Sequence, residues 1–317
     1  GRQGAAVFVL ASGASKFSRC TFDHNRAAEE GGGLLVDSAF DLLVEDSSFS
    51  GNIALTGAGG GMSLRSTGKS AILRCSFVGN SAATAGGGLS ARSSQLLMRS
   101  CRMEGNAATR VGGALLLVSS FESAVTDSVF EGNTAEGGHG GGVFFVCPRL
   151  LIAGCAFEGN YAHEGGAVLA VMPFILADYH SSIVNSTFMG NHCTGVGGAF
   201  AMVTQTHLQQ FHSGTAALAS ESTEGCPYAD GEAAVLGSRD TADPVARNCT
   251  FTANLSQQNG GAIFVAAYEG SFVELATCSF LSNVAMEYGG AIYTLQSSGE
   301  QFLLNAVLSQ NIAGWAG

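Results

Sequence analysis

The chain has 317 residues, with 45 glycines, 4 prolines and a formal charge of −11 from 25 acidic and 14 basic residues. Glycine is enriched without a Gly-X-Y period, which excludes collagen, and an apolar fraction of 46% with 20 phenylalanines excludes a disordered chain. The acidic balance and only two lysines, Lys16 and Lys69, exclude a nucleic-acid binder, which needs a basic stripe against phosphates.

A Phe followed three residues later by Asn recurs along the chain, as Phe22/Asn25, Phe49/Asn52, Phe77/Asn80, Phe130/Asn133, Phe157/Asn160, Phe188/Asn191, Phe251/Asn254 and Phe280/Asn283. Met103/Asn106 and Leu308/Asn311 are the same motif with another apolar residue in the Phe slot. A few residues on stands a Gly pair followed by a small or apolar residue: Gly32-Gly33-Leu34, Gly112-Gly113-Ala114, Gly165-Gly166-Ala167, Gly260-Gly261-Ala262 and Gly289-Gly290-Ala291. Gly61-Met62 and Gly142-Val143 are read here as drifted copies of Gly-Ala. The Asn-to-Asn steps are 27, 28, 26, 27, 27, 31, 63, 29 and 28 residues, one period with one interruption.

Such a period marks a repeat architecture. Each unit holds two or three short apolar runs, among them Leu42-Leu43-Val44, Val143-Phe144-Phe145-Val146 and Ile263-Phe264-Val265, whose β-branched and aromatic content predicts strands. Glycines in nearly every window oppose helix. The unit is too short for a propeller blade and lacks a leucine framework, which leaves an all-β fold: a single-stranded parallel β-helix (solenoid) of about ten coils of ~27 residues. Crossovers between parallel strands predict a right-handed winding. Stacking at about 4.8 Å then predicts an interior ladder of rings and a side-chain amide ladder, with the Gly pair lying where a Cβ would clash with the neighbouring coil.

The Gly-Gly-Ala and Phe-x-x-Asn pattern resembles the chlamydial polymorphic membrane proteins and, more broadly, the pectin-lyase-like right-handed β-helix proteins. Phe251 to Asn254 with Gly260 to Ile263, and Phe280 to Asn283 with Gly289 to Ile292, carry it most closely. The resemblance implies a surface-exposed or secreted passenger used in adhesion or as structure, and it brings no catalytic residues with it.

Both ends read as cut rather than capped, at Gly4-Ala5-Ala6-Val7-Phe8 and at Asn311 to Gly317. Residues 1–317 are therefore expected to be a β-helix segment of a longer protein, with protein chains or neighbouring domains stacked on its ends. Roughly Thr204 to Ala246 is expected to be a long loop insertion and a second contact region, with Pro227 and Pro244 inside it. No membrane span is expected: the longest apolar stretch, Ala167 to Ala177, is too short for a bilayer and is broken by Pro173.

Six of the nine cysteines (Cys20, Cys75, Cys101, Cys155, Cys249, Cys278) precede the motif Phe or its substitute by two residues, where other units have Ser47, Ser128, Ser186 and Ala306. The interchange predicts a small buried slot and stacked free thiols; Cys147, Cys193 and Cys226 lie outside it. Three sequons occur. Asn254 belongs to the ladder and is expected to be buried, whereas Asn185 and Asn248 share an outward slot with Arg19, Asp46, Arg74 and Asp127 and are candidate N-glycosylation acceptors.

Enzymes of this fold need carboxylates grouped on one face. The densest group, Asp37, Asp41, Glu45 and Asp46, is expected at outward or turn positions, and His207, His212 and Cys226 fit no zinc spacing. Gly137 to Gly142 lacks the Asp that calcium-binding glycine repeats require. No catalytic residue, metal or cofactor is assigned. The expected function is a non-enzymatic structural or adhesive scaffold at the cell surface or outside the cell, with surface glycans as a further partner class. A carbohydrate-active or carbohydrate-binding β-helix, and a building block of a filament or coat, remain as alternatives.

Overall fold

The computed structural model describes residues 6–10, 13–37, 39–65, 67–92, 95–118, 122–146, 149–172, 181–204, 246–266, 273–295 and 301–314. These residues form strands and connections only. The strands assemble into four parallel sheets of ten strands each, and every fourth strand in chain order joins the same sheet. One coil shows the plan: Leu34–Asp37 lies in the first sheet, Asp41–Glu45 in the second, Ser48–Ser50 in the third and Ile53–Ala54 in the fourth, after which Met62–Arg65 lands beside Leu34–Asp37. The two-residue strands of the fourth sheet, such as Ala107–Ala108, are too short for apolar patterning to reveal.

Three of the four corners turn on single residues with left-handed backbone. The corner from second to third sheet holds Arg19, Asp46, Arg74, Ser100, Asp127, Asn185, Asn248, Thr277 and Asn305 at φ 49–55° and Gly154 at 64°. The next corner holds Gly51, Gly79, Gly105, Gly132, Gly159 and Gly190, but also His24, Ala253, Ser282 and Gln310. The corner from fourth to first sheet accepts glycine alone in the nine coils where it is described, from Gly31 to Gly289. Space explains the difference. A Cβ on Gly105 would meet nothing within 4 Å, so only the backbone conformation opposes a side chain there. A Cβ on Gly112 would lie 2.3 Å from the Leu115 carbonyl oxygen.

The strand register corrects one reading of the sequence. Leu34 pairs with Met62, Met62 with Leu89, Leu89 with Leu115 and Leu115 with Val143. Gly33, Gly61, Gly88 and Gly142 therefore occupy the slot of Ala114, and Met62 and Val143 are strand residues rather than drifted alanines. The recurrent element is a triplet: a left-handed glycine, a glycine against the next coil, then Gly or Ala.

The fourth corner, from first to second sheet, is where length varies. Its connections run from 2 residues (93–94) to 41 (205–245). Thr204 ends the strand Phe200–Thr204 and Ala246 opens Ala246–Arg247, so the insertion is bounded more tightly than expected. Residues 205–245, with His207, His212, Cys226, Pro227 and Pro244, lie outside the described residues, as do Cys147, Pro173, 1–5 and 315–317.

The interior is a set of ladders. Phe22, Phe49 and Phe77, and then Phe130, Phe157, Phe188, Phe251 and Phe280, stack with ring centroids 4.6–4.9 Å apart and planes within 10°. Met103 fills the interrupted step and is fully buried. Beside the rings, Asn25, Asn52, Asn80, Asn106, Asn133, Asn160, Asn191, Asn254, Asn283 and Asn311 form one amide ladder. In each step the side-chain oxygen accepts both the backbone N–H and the amide N–H of the preceding Asn, as Asn133 does from Asn106 at 2.9 and 3.0 Å.

The cysteine slot is a third ladder, and it needs more than small size. The Cys20 amide donates to Ser47 Oγ (3.0 Å), that of Cys75 to Cys101 Sγ (3.4 Å) and that of Cys101 to Ser128 Oγ (3.0 Å). Each hydroxyl or thiol in turn donates two residues back, Ser128 Oγ to the Thr126 carbonyl and Cys101 Sγ to that of Arg99. Ser and Cys interchange because both accept an N–H and donate to a carbonyl. The seven described cysteines are free thiols, all buried except the half-buried Cys20.

First-sheet strands such as Val143–Val146 and Ile263–Ala266 are buried on both faces, as near-continuous apolar runs imply. Their inward residues join the ring ladder. Their outward ones, including Leu116, Phe144, Leu169 and Phe264, form a second apolar cluster with Ala58, Ala85, Val111 and Val196, the residues that precede the corner glycines.

Candidate functional site

The second sheet presents one of the exposed faces of the rod. A groove of about 1300 Å³ runs across its first seven strands, over or just before the first residues of each, from Ala14 to Ser182. Alternation puts Leu42, Val44, Leu96 and Met98 inward and leaves two outward rows along the groove. One row is apolar and stepped in size: Leu43, Ala71, Leu97, Ala124 and Leu151 stack in register. Leu97 and Leu151 keep 45% and 40% of their surface exposed. The other row, at or just before the strand starts, reads Asp41, Lys69, Gln95, Glu122 and Arg149, of which Arg149 Nη1 and Glu122 Oε1 are 2.7 Å apart. Aligning the units on their Asn residues brings these rows into columns, but no single unit shows them.

Charges at the end of the groove and beyond it are paired, mostly between neighbouring coils. Lys16 Nζ meets Glu45 Oε1 at 2.8 Å, Arg74 Nε meets Asp46 Oδ1 at 2.7 Å and Arg102 reaches both Glu104 and Glu131 at 2.8 Å. The hydrogen bond from Lys16 lowers the pKa of Glu45, and that from Arg74 lowers that of Asp46. Asp41 and Asp46 are exposed and Asp37 and Glu45 half-buried, at the outward and turn positions the sequence predicts. The groove carboxylates, Asp41 and Glu122, stand three coils apart, roughly 14 Å at the strand spacing. That exceeds the separation of paired carboxylates in glycoside hydrolysis. Among the described residues no three His, Cys, Asp or Glu side chains gather as a metal site.

Asn185 and Asn248 are exposed on adjacent coils, and Asn248 Nδ2 donates to Asn185 Oδ1 at 2.8 Å. Both occupy the left-handed corner, a conformation Asn tolerates better than most residues, so the backbone alone accounts for them. Asn254, the third sequon residue, is fully buried in the ladder. Sequence reading misses one buried polar pair. His139 Nδ1 lies 3.0 Å from Glu164 Oε2, and the two successively occupy the slot of Ala58 and Val111 beside the outer face of the first sheet. It ties two coils together where their neighbours use apolar contacts.

Two of the buried thiols, Cys155 and Cys193, are chemically quiet. Burial pushes Cys155 up to about 11 and Cys193 up to about 12, because the thiolate loses its hydration. At pH 8, well below both values, the two are expected to resist a thiol-exchange reagent in the folded protein and to react in denaturant. Fast labelling of either without unfolding, read by peptide mapping, would contradict their placement inside the stack.

Ladders of stacked side chains inside parallel coils define the chain as a β-solenoid. It belongs to the right-handed β-helix family, whose model (right handed beta helix region) matches residues 5–172. Residues 248–266 and 277–295 match the Chlamydia polymorphic membrane protein repeat. Each of those stretches runs from the corner between the second and third sheets, at Asn248 and at Thr277, through the Asn and the glycine triplet to the first-sheet strand, so the signature of the repeat is the set of corner and ladder residues. No curated protein and no solved structure gives a significant match.

Proposed function

We propose that this chain is a non-enzymatic, surface-exposed scaffold whose outward faces are contact surfaces and whose interior serves rigidity alone. The observation that carries the reading is the groove: its floor is aliphatic, its carboxylates are too far apart to work as a pair, and Lys69 stands between them. The polymorphic membrane protein repeats support placement outside the cell or at its surface, in an adhesive or structural role. The two ends of the stack and the connection between Thr204 and Ala246 are the further places where neighbouring domains, other chains or surface glycans would engage. The test is direct. Purified protein incubated with acidic and neutral polysaccharides is expected to release neither unsaturated uronates nor reducing ends, and antibodies to it are expected to label intact cells of its source. Turnover of any polysaccharide would overturn the non-enzymatic reading; label reaching the protein only after permeabilisation would overturn the surface placement.

A further inference from the structure

The charged row of the groove reads, coil by coil, Asp41, Lys69, Gln95, Glu122, Arg149: negative, positive, neutral, negative, positive. Read backwards, the row presents the opposite sign at every charged position. Over the same five coils the row beside it, Leu43, Ala71, Leu97, Ala124, Leu151, is apolar and reads the same in both directions; on the two outer coils it ends in Lys16 and Ser182. A surface with these two properties fits itself. We infer that the second-sheet face binds a second copy of this chain, antiparallel, about a two-fold axis that runs along the strand Gln95–Arg99.

Rotation about an axis parallel to the strands reverses the rod and turns one face onto the other, but keeps each row on its own side. Gln95 then faces Gln95, Lys69 faces Glu122 twice and Asp41 faces Arg149 twice. In the apolar row Leu97 faces Leu97, Leu43 faces Leu151 and Ala71 faces Ala124. The facing alanines leave space, and it falls on the coils that carry Lys69 and Glu122, whose aliphatic stems flank it. Arg99 meets its own copy across the axis, and Asp127, 3.2 Å from it within each chain, offsets that approach.

Neighbouring registers are selected against. A slip of one coil sets Lys69 against Arg149, or, in the other direction, Asp41 against Glu122. A parallel two-fold arrangement sets Asp41 against Glu45. Like charges in apposition are the usual means of excluding a wrong pairing. Seven strands of three to five residues cover roughly 34 by 15 Å, on the order of 1,000 Å² counted over both chains. That is the low end for a specific interface, so the dimer is expected to form in the micromolar range and to weaken with salt.

Sedimentation velocity on the full chain, from about 1 to about 200 µM, is expected to show a reversible dimer. K69E and E122K each set two like-charged pairs across the axis and are expected to raise the dissociation constant about tenfold or more. An equimolar mixture of the two variants is expected to dimerise as the native chain does, since Glu at 69 of one chain then faces Lys at 122 of the other, and the remaining Lys69 faces the remaining Glu122. An unchanged circular dichroism spectrum and melting temperature confirm that the variants fold. A chain that stays monomeric throughout, single variants that dimerise normally, or a mixture that fails to recover would each overturn the inference. None of these outcomes bears on enzymatic activity or surface placement, so the scaffold reading is tested separately.

Discussion

Gly113→Ala is expected to destabilise the protein by about 3 kcal/mol or more, whereas Gly105→Ala, eight residues earlier, is expected to cost about 1 kcal/mol. The two glycines serve different ends. Gly105 has φ +58° and open space where a Cβ would go. Ala253 occupies the equivalent corner at φ 52°, so the fold already carries this substitution once. A Cβ on Gly113 would lie 2.2 Å from the Gly141 carbonyl oxygen and 2.6 Å from the Thr134 carbonyl carbon. Both obstacles are backbone, held by hydrogen bonds between coils, such as that from Gly113 N to the Gly140 carbonyl at 3.1 Å. No rotamer change relieves the overlap. The coils must part locally, which strains the ladders on either side. Urea unfolding of the two variants measures the difference, and an equal loss of stability would show that conformation, not contact, sets the glycine requirement.

The same contrast explains how far the sequence could be read. The Phe and Asn ladders were legible because an in-register stack repeats one residue type at one period, and nothing else in the chain competes with that signal. The corner glycines were legible as a class but not in register: Gly61-Met62 and Gly142-Val143 look like variants of Gly-Ala until strand pairing shows Met62 and Val143 beside Leu34 and Leu115. Gly and Ala share the third place of the triplet, so composition alone cannot say where the triplet begins. The outward rows of the second sheet were illegible for the opposite reason. Asp41, Lys69, Gln95, Glu122 and Arg149 share no residue type, and their relation is one of sign along the rod. His139 and Glu164 likewise sit in a slot that four other coils fill with Ala or Val, and Glu30, Asn259 and Tyr288 in the remaining coils share no type with them.

Asn133→Ala is expected to lower stability by about 4 kcal/mol, while Asn311→Ala is expected to lower it by about 1 kcal/mol. Asn133 is fully buried. Its Nδ2 donates to the Met103 carbonyl at 2.9 Å and to Asn160 Oδ1 at 3.0 Å, and its Oδ1 accepts the backbone and side-chain N–H groups of Asn106. Alanine fills none of these places, so the backbone N–H and one amide N–H of Asn106 lose their acceptor and the Met103 carbonyl loses a donor inside the stack. Each such group costs about 1–3 kcal/mol where water cannot reach it, and shared partners keep the sum below a simple total. Asn311 makes the same kind of bonds, accepting from Asn283 and donating to the Phe280 carbonyl at 2.9 Å, but it is only half-buried and water can replace what is lost. Because each coil touches only its neighbours, the damage should stay local. Hydrogen exchange of the Asn106 amide should quicken sharply in Asn133→Ala, with the amides of Asn25 and Asn283 little changed. Equal losses at Asn133 and Asn311 would mean that the amide ladder orders the coils without stabilising them, and that the stacked rings beside it hold the rod together.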